Sequence, residues 1–336
     1  MSELQLKLEE FLAKNKQKTG ISPLKQDAST REYFRVSWNE NPAIACVYPF
    51  NDLCKGQYEA CLDVTNVFLT AGLPVARIFA SDDENKIIIH QDFGDTILRD
   101  VLQHTDENTR EHYLNESIRL IAQIQAATRT AFEADSVASK LRFDEEKLLW
   151  ELNFFREHYF TSLKKLTLSD ADNEALTEEF TELARKLEAN AKVLTHRDFH
   201  AANLMLDDEK HLHIIDHQDA RIGTASYDLV SLLLDRVTEL PAPEWLAEKR
   251  RFFLQERENL GLGKIEEADF AYEFRLQTIQ RCLKAIGTFS FQSTFRGKTY
   301  FLPFIGPMFR IVLQAAEKLE KFPHLQTIVK SQIQIG

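Results

Sequence analysis

Apolar residues recur along this chain with two different periods, and the change from one to the other is the first sign of its organisation. Before Gly94, short runs rich in branched and aromatic residues (Tyr33–Trp38, Ala43–Tyr48 and Ile87–His90) read as strands, with one helical stretch, Gln57–Leu69, that stops ahead of Gly72. Leu4, Leu8, Phe11 and Leu12 add a helix at the N-terminus. Acidic residues stand there where a secretory leader would carry basic ones, so a docking helix is expected. After Gly94 the period turns helical. Leu114, Ile118, Ile121 and Gln125 mark one helix, and Leu148, Leu152, Phe155 and Tyr159 mark another whose stripe predicts core packing. Ser169 with Asp172 forms a capping box that opens a helix running towards Ala191. Further on, Leu276, Ile279, Leu283 and Ile286 form an apolar stripe beside a polar one of Gln277, Gln280, Arg281 and Lys284, a pattern that by itself describes a solvated face. The expected class is α+β. A small β-rich N-terminal lobe with one or two helices, residues 1–92, meets a mostly helical C-terminal lobe, residues 93–336, at a short hinge near Gln91–Gly94.

Candidate chemistry concentrates between Val193 and Ala220, in VLTHRDFHAANLMLDDEKHLHIIDHQDA. The run HRDFHAAN places an Asp two residues after a His and an Asn five after the Asp, which is the layout of a phosphotransferase catalytic loop. Two apolar runs, Asn203–Leu206 and His211–Ile215, flank a polar segment and read as a β-hairpin. A two- or four-residue loop pairs Leu206 with His211 and Asn203 with Ile214, which puts Asn203 and Asp216 on one face as diagonal neighbours about 7–8 Å apart. A three- or five-residue loop would break that alignment. The separation suits Mg²⁺, which takes oxygen ligands and is held by few protein groups plus substrate phosphates. Any one of these residues is ordinarily a turn-former or cap. Together they make Asp198 the candidate base and Asn203 and Asp216 the candidate metal ligands.

The histidines raise a rival reading, a zinc site built on His196 and His200 at i, i+4 with His211, His213 and His217 following. It is set aside. The pair falls in a loop, His211 and His213 share a strand face, and no cysteine lies near. His196 is expected to be packed, its ring nitrogens bracing the loop backbone, while His200 is placed to reach substrate.

Composition narrows the class without choosing a reaction. A chain of 336 residues can bury a large core, and its net charge of −11 argues against a general nucleic-acid or anionic-membrane binder. No apolar run approaches the roughly 18 residues of a membrane span. Cys46, Cys54, Cys61 and Cys282 form no CxxC pair, which fits reduced, cytoplasmic thiols. A monomer acting on small molecules is expected.

Four separated segments resemble the aminoglycoside-phosphotransferase and choline-kinase superfamily, and within it the anomeric amino-sugar kinases of bacterial cell-wall recycling. They are DASTREYFRV at Asp27–Val36, HQDFGD at His90–Asp95, the HRDFHAANLM, IIDHQDA and SYDLVSLLLD group, and QRCLKAIGTF at Gln280–Phe289. The resemblance implies a two-lobed protein-kinase-like fold and a cytoplasmic, Mg²⁺-dependent kinase. Such an enzyme moves the γ-phosphoryl of ATP to the anomeric hydroxyl of N-acetylmuramate or N-acetylglucosamine. It implies that Asp198 accepts the hydroxyl proton, and that Asn203 and Asp216 hold Mg²⁺. Ser29, Arg31, Arg35, Gln91 and Phe93 are the implied nucleotide contacts, and His200, Gln218, Asp219, Arg281 and Lys284 the implied sugar contacts, with Arg281 or Lys284 meeting the lactyl carboxylate of N-acetylmuramate.

The chain departs from the kinase pattern in two places. The run AIACVYP has Cys46, Val47 and Tyr48 where a strand lysine would hold the phosphates, and DASTREYF replaces a glycine-rich loop. Arg31, Arg35 or Lys55 stands in reserve for that role, since guanidinium suits phosphate. Two alternatives stay open. One is a kinase for another alcohol, such as an aminoglycoside or a choline-like amine; the other is a nucleotide-sensing pseudokinase.

Overall fold

In a computed structural model, which describes residues 2–18, 20–24, 31–50 and 56–335, the elements follow in this order. First come α1 (Glu3–Lys14), β1 (Ser22–Pro23), β2 (Glu32–Trp38), β3 (Asn41–Val47), α2 (Gln57–Thr70), β4 (Ile78–Asp82), β5 (Ile87–Gln91), β6 (Thr96–Ile97) and α3 (Leu98–His104). Next are α4 (Glu107–Ala126), α5 (Thr128–Glu133), α6 (Val137–Lys140), α7 (Glu145–Phe155) with a π-helical extension (Arg156–Lys164), and α8 (Asp170–Ala189). Then follow β7 (Val193–Thr195), β8 (Leu204–Leu206), β9 (Leu212–Ile214), β10 (Arg221–Gly223) and α9 (Tyr227–Leu234). The chain closes with α10 (Pro243–Asn259), α11 (Glu267–Arg296), α12 (Ile305–Leu319) and α13 (Pro323–Ile335).

Two compact units divide these elements. The first holds residues 1–112, 129–138 and 201–220; the second holds 113–128, 139–200 and 221–336. This division differs from an expected boundary at 92/93, because the hairpin β8–β9 is tied into the first unit. Thr96 and Ile97 of β6 pair with Leu206 and Met205, and Ile214 N–H donates to the Pro74 carbonyl at 2.8 Å.

The first unit is built on an antiparallel sheet of order β1-β2-β3-β5-β4. Alternation along its strands sends Phe34, Val36, Ala45, Val47, Ile87 and Ile89 to one face, where Leu8, Phe11 and Leu12 of α1 cover them. The N-terminal helix is thus a docking helix, capped by Ser2. The other face carries Cys46, Tyr48 and Ile88, and Tyr58 and Cys61 of α2 pack there. Burial pushes the Cys46 thiol up to about 12, so it is an inert core group.

The second unit is helical around α11, which packs on α7, the π-helix, α9 and α12. The stripe Leu148, Leu152, Phe155 and Tyr159 is buried core, as its spacing predicts. The Ser169 hydroxyl accepts the Asp172 N–H at 3.1 Å, closing the expected cap of α8. Gly287 explains itself here: a Cβ at that position would lie 2.7 Å from Phe155 Cα, so only glycine lets α11 approach α7 so closely. Among the described residues, no helix is long and apolar enough to cross a membrane.

Candidate active site

In the second unit, the short ladder between β7 and β10 pairs Thr195 with Arg221 and delivers the chain into His196, Arg197 and Asp198. The backbone then turns through Arg197 at φ 82°, in the left-handed region that side chains with a Cβ avoid. Asp228 offsets that cost. Buried in the first turn of α9, its carboxylate accepts the N–H of His196 at 2.7 Å and of Arg197 at 3.0 Å. Burial pushes the Asp228 carboxyl up to about 6, against the pull of His196 and of those two N–H groups. His196 is fully buried, edge-on to Phe199 at 5.6 Å. The Asp228 carboxylate, through those two N–H groups, braces the backbone of this turn.

Asp198 emerges from this turn half-buried, with Lys284 Nζ at 3.2 Å and Arg281 Nη2 at 3.3 Å from the same oxygen, Oδ1. Arg197 Nε lies 3.9 Å from Oδ2. Burial opposes ionisation of Asp198, but Lys284, Arg197 and Arg281 outweigh it and hold the carboxyl well below the usual carboxylate range. Burial also pulls the His200 imidazole down, against Asp235 and Asp198, so the ring beside Asp198 is neutral near pH 7. Arg281 is anchored by the Ser231 hydroxyl at 3.0 Å, and its guanidinium lies 5.9 Å from the Tyr227 ring centre.

The polar stripe of α11 is therefore not a solvated face. Gln277, Gln280 and Arg281 are buried, because polar partners satisfy them internally. Thr224 donates to Gln277, Gln277 to Gln280, and Gln280 to Glu151, each at 2.8 Å. Arg281 and Lys284, one or other of which is expected to reach a lactyl carboxylate, both meet Asp198.

In the first unit, the hairpin register differs from the expected one. Leu204 pairs with Ile214 and Leu206 with Leu212, leaving an odd loop, Asp207–His211. The Asp207 carboxylate accepts the His211 N–H at 2.9 Å and Lys210 turns at φ 66°, local bonds that favour this length. Asn203 thus sits opposite Ile215, whose N–H it accepts at 3.1 Å. It belongs to a 3₁₀ turn, Ala201–Asn203, and Asp216 has φ 61°. Neither residue is in a pleated strand, so the same-face argument for the pair does not apply.

What the first unit does bring together is Arg31, Asp216 and Gln218. Arg31 Nη2 donates to Asp216 Oδ1 at 2.9 Å, and Gln218 Nε2 donates to the same oxygen at 3.0 Å. Arg31 is no surface charge: it is 9% exposed and lies 5.7 Å from the ring centres of both Tyr33 and Tyr48. Gln218 braces the carboxylate here. His217, next in the chain, is fixed to α2 through the Thr65 hydroxyl at 2.7 Å and stacks on Phe68. The Asp216 carboxylate is partly exposed, and its oxygens, like the amide oxygen of Asn203, are hard donors of the kind Mg²⁺ takes.

The remaining expected contacts scatter. Arg35 is bidentate to Asp92 (2.6 and 3.2 Å) and to Asp95 (3.0 and 2.8 Å), so it clamps the hinge segment and is not left for phosphate. Gln91 ends β5, its N–H on the Arg77 carbonyl at 2.9 Å. Phe93 is buried and stacks on His213, ring centres 3.7 Å apart. Asp219 is half-buried in the turn that follows Asp216. Ser29 and Lys55 lie outside the described residues. Sequence reasoning missed Ser231 as the anchor of Arg281, although its place one turn after Asp228 on α9 was a usable signal.

Comparison with known proteins agrees with this layout. The phosphotransferase enzyme family model (APH) matches residues 20–262. The chain is 28% identical over 267 residues to the N-acetylmuramate/N-acetylglucosamine kinase of Neisseria meningitidis, covering 79% of this chain and 76% of that one. It is 28% identical over 314 residues to the protein of the same name from Pseudomonas aeruginosa, covering 93% and 88%. Its fold is similar to that of the choline kinase LicA from Streptococcus pneumoniae, with TM-score 0.60, 11% identity and coverage of 94% and 100%. It also resembles ADP-bound aminoglycoside phosphotransferase APH(2'')-Ib, with TM-score 0.57, 15% identity and coverage of 92% and 97%. The spacing of the Asp198 loop, the α+β elements and the family match agree, and the chain belongs to the phosphotransferase enzyme family.

Proposed function

We propose that this protein is an ATP- and Mg²⁺-dependent kinase that phosphorylates the anomeric hydroxyl of N-acetylmuramate and N-acetylglucosamine. The observation that carries the reading is Asp198, a carboxylate kept ionised by Lys284, Arg197 and Arg281 on a loop with phosphotransferase spacing. Its likeness to amino-sugar kinases supports the substrate. Asp198 accepts a hydrogen bond from the acceptor hydroxyl and orients its oxygen towards the γ-phosphorus. An anomeric hydroxyl is more acidic than an ordinary alcohol, so a carboxylate of low basicity is a sufficient partner. Asn203 and Asp216 are the residues to hold Mg²⁺, which supplies charge neutralisation at the nucleotide phosphates. Arg31 is the proposed substitute for the strand lysine. It stands on the Cys46 and Tyr48 face of the sheet and already bonds Asp216.

A panel of free sugars with ATP and Mg²⁺, read by phosphorus NMR, tests the reading. N-acetylmuramate and N-acetylglucosamine are expected to give sugar 1-phosphates, and their 1-deoxy and 1-O-methyl analogues none. Product from either analogue would move the acceptor to another hydroxyl.

A further inference from the structure

We propose that Lys284 is a catalytic residue, its ammonium binding a non-bridging oxygen of the phosphoryl group while that group passes from the nucleoside triphosphate to the sugar. The inference rests on the kinase reading above and extends it to a residue outside the catalytic-loop motif.

Two observations carry it. Lys284 Nζ lies 3.2 Å from Asp198 Oδ1, and this is its one hydrogen-bond partner among the described residues, although an ammonium has several N–H donors. The side chain is only 16% exposed, so the remaining donors meet little water. Arg281 is tied down elsewhere as well: its Nη2 is divided between Ser231 on α9 and Asp198, and its guanidinium lies 5.9 Å from the Tyr227 ring centre. Arg281 is therefore held in place beside the base, whereas the Lys284 ammonium is held by Asp198 alone among the described residues.

Distance then decides what those donors meet. A hydroxyl bonded to Asp198 lies roughly 2.7 Å from the carboxylate, and in a near-attack arrangement the phosphorus is about 3–3.5 Å from that hydroxyl oxygen. An ammonium on the same carboxylate is in reach of the equatorial phosphoryl oxygens. The lactyl group of N-acetylmuramate is an ether on the third ring carbon, further from the anomeric oxygen by two ring bonds and the ether link. In the transfer, the acceptor oxygen forms its bond to phosphorus as the bond from phosphorus to the bridging oxygen breaks. That electron pair leaves on the nucleoside diphosphate, and the hydroxyl proton passes to Asp198. Charge builds on the equatorial oxygens and the leaving group during the step, and a poorly hydrated cation already in place stabilises it without reorganising.

The test compares Lys284→Met, Lys284→Arg and the unaltered protein on both sugars. Lys284→Met is expected to lower kcat by on the order of 10²–10³ with either sugar. The KM for each sugar and the Kd of MgATP are expected to move less than about threefold, as for an interaction made only in the transition state. Binding of ADP with aluminium fluoride and sugar, a mimic of the phosphoryl group in transfer, is expected to weaken by a similar factor to kcat. Lys284→Arg should recover much of both. A loss confined to N-acetylmuramate would overturn the proposal and give the lysine to the lactyl carboxylate. Equal weakening of MgATP and of the aluminium fluoride complex would reduce it to a positioning residue. If the unaltered protein phosphorylated neither sugar, the kinase reading itself would fall, an outcome separate from a silent Lys284→Met in an active enzyme.

Discussion

A carboxylate whose Oδ1 is shared by Lys284 and Arg281 gives up its charge reluctantly, so in the proposed reaction Asp198 is better suited to orienting a hydroxyl than to removing its proton early. That matches a loose phosphoryl-transfer transition state, in which the nucleophile needs alignment before it needs deprotonation. Asp198→Asn keeps the size but loses the acceptor charge, and is expected to lower kcat by on the order of 10²–10⁴ with nucleotide binding retained, as read by steady-state rates and calorimetry. Because Arg281 meets Asp198 and Ser231, Arg281→Ala should reduce kcat/KM for N-acetylmuramate and N-acetylglucosamine alike; a loss for only the carboxylated sugar would contradict that placement. Asp228 gives a pH test. Its carboxyl is raised to about 6 by burial, so the stability it contributes is full below its unfolded value near 4 and is lost as pH rises through about 6. Asparagine at that position does not titrate. The difference in Tm between wild type and Asp228→Asn should therefore shrink in favour of the variant across that window, and a difference independent of pH would show that Asp228 does not titrate there.

At the level of elements, α11 links packing to the proposed chemistry, since Gly287 and Lys284 lie within one turn of each other on it. A Cβ at Gly287 would stand 2.7 Å from Phe155 Cα and 2.9 Å from Phe155 N, backbone atoms that cannot swing aside. Gly287→Ala should cost about 1–3 kcal/mol, the usual range for overpacking, and lower Tm by several degrees in thermal unfolding followed by circular dichroism. It should also lower kcat, because displacing α11 from α7 carries Lys284 with it. The sequence located this helix and its apolar stripe, but the adjoining polar stripe reads there as solvated. Periodicity records which residues are apolar; it does not record that Thr224, Gln277, Gln280 and Glu151 satisfy one another inside the unit. The π-helix at Arg156–Lys164 left no trace in the pattern either: Phe155 and Tyr159 keep the i, i+4 spacing of an α-helix, and no residue type marks the wider turn.

For the whole molecule, strong periodicity and motif spacing were enough to recover the α+β class, the sheet strands β2, β3 and β5, and the loop that carries Asp198. Long-range pairs were not recoverable. Arg31 is separated from Asp216 by 185 positions and no local signal joins them, while the hairpin register turned on local bonds of Asp207 and Lys210 that alternation does not encode. The Arg31–Asp216 pair yields a prediction read on the global unfolding transition. A ligand that binds only the folded chain raises its stability by about 2.7 kcal/mol at a hundredfold excess over Kd, so Tm reports nucleotide affinity. Wild type should show a Tm increase with MgATP that is much larger than with ATP plus a chelator. Asp216→Ala removes the proposed metal carboxylate and should bring the two increases together. Arg31→Ala removes a charge-assisted bond worth roughly 1.5–3 kcal/mol, so both increases should fall while the Mg²⁺-dependent gap persists. If Arg31→Ala left the MgATP increase intact, Arg31 would be a structural partner of Asp216 and the substitute for the strand lysine would have to be sought elsewhere.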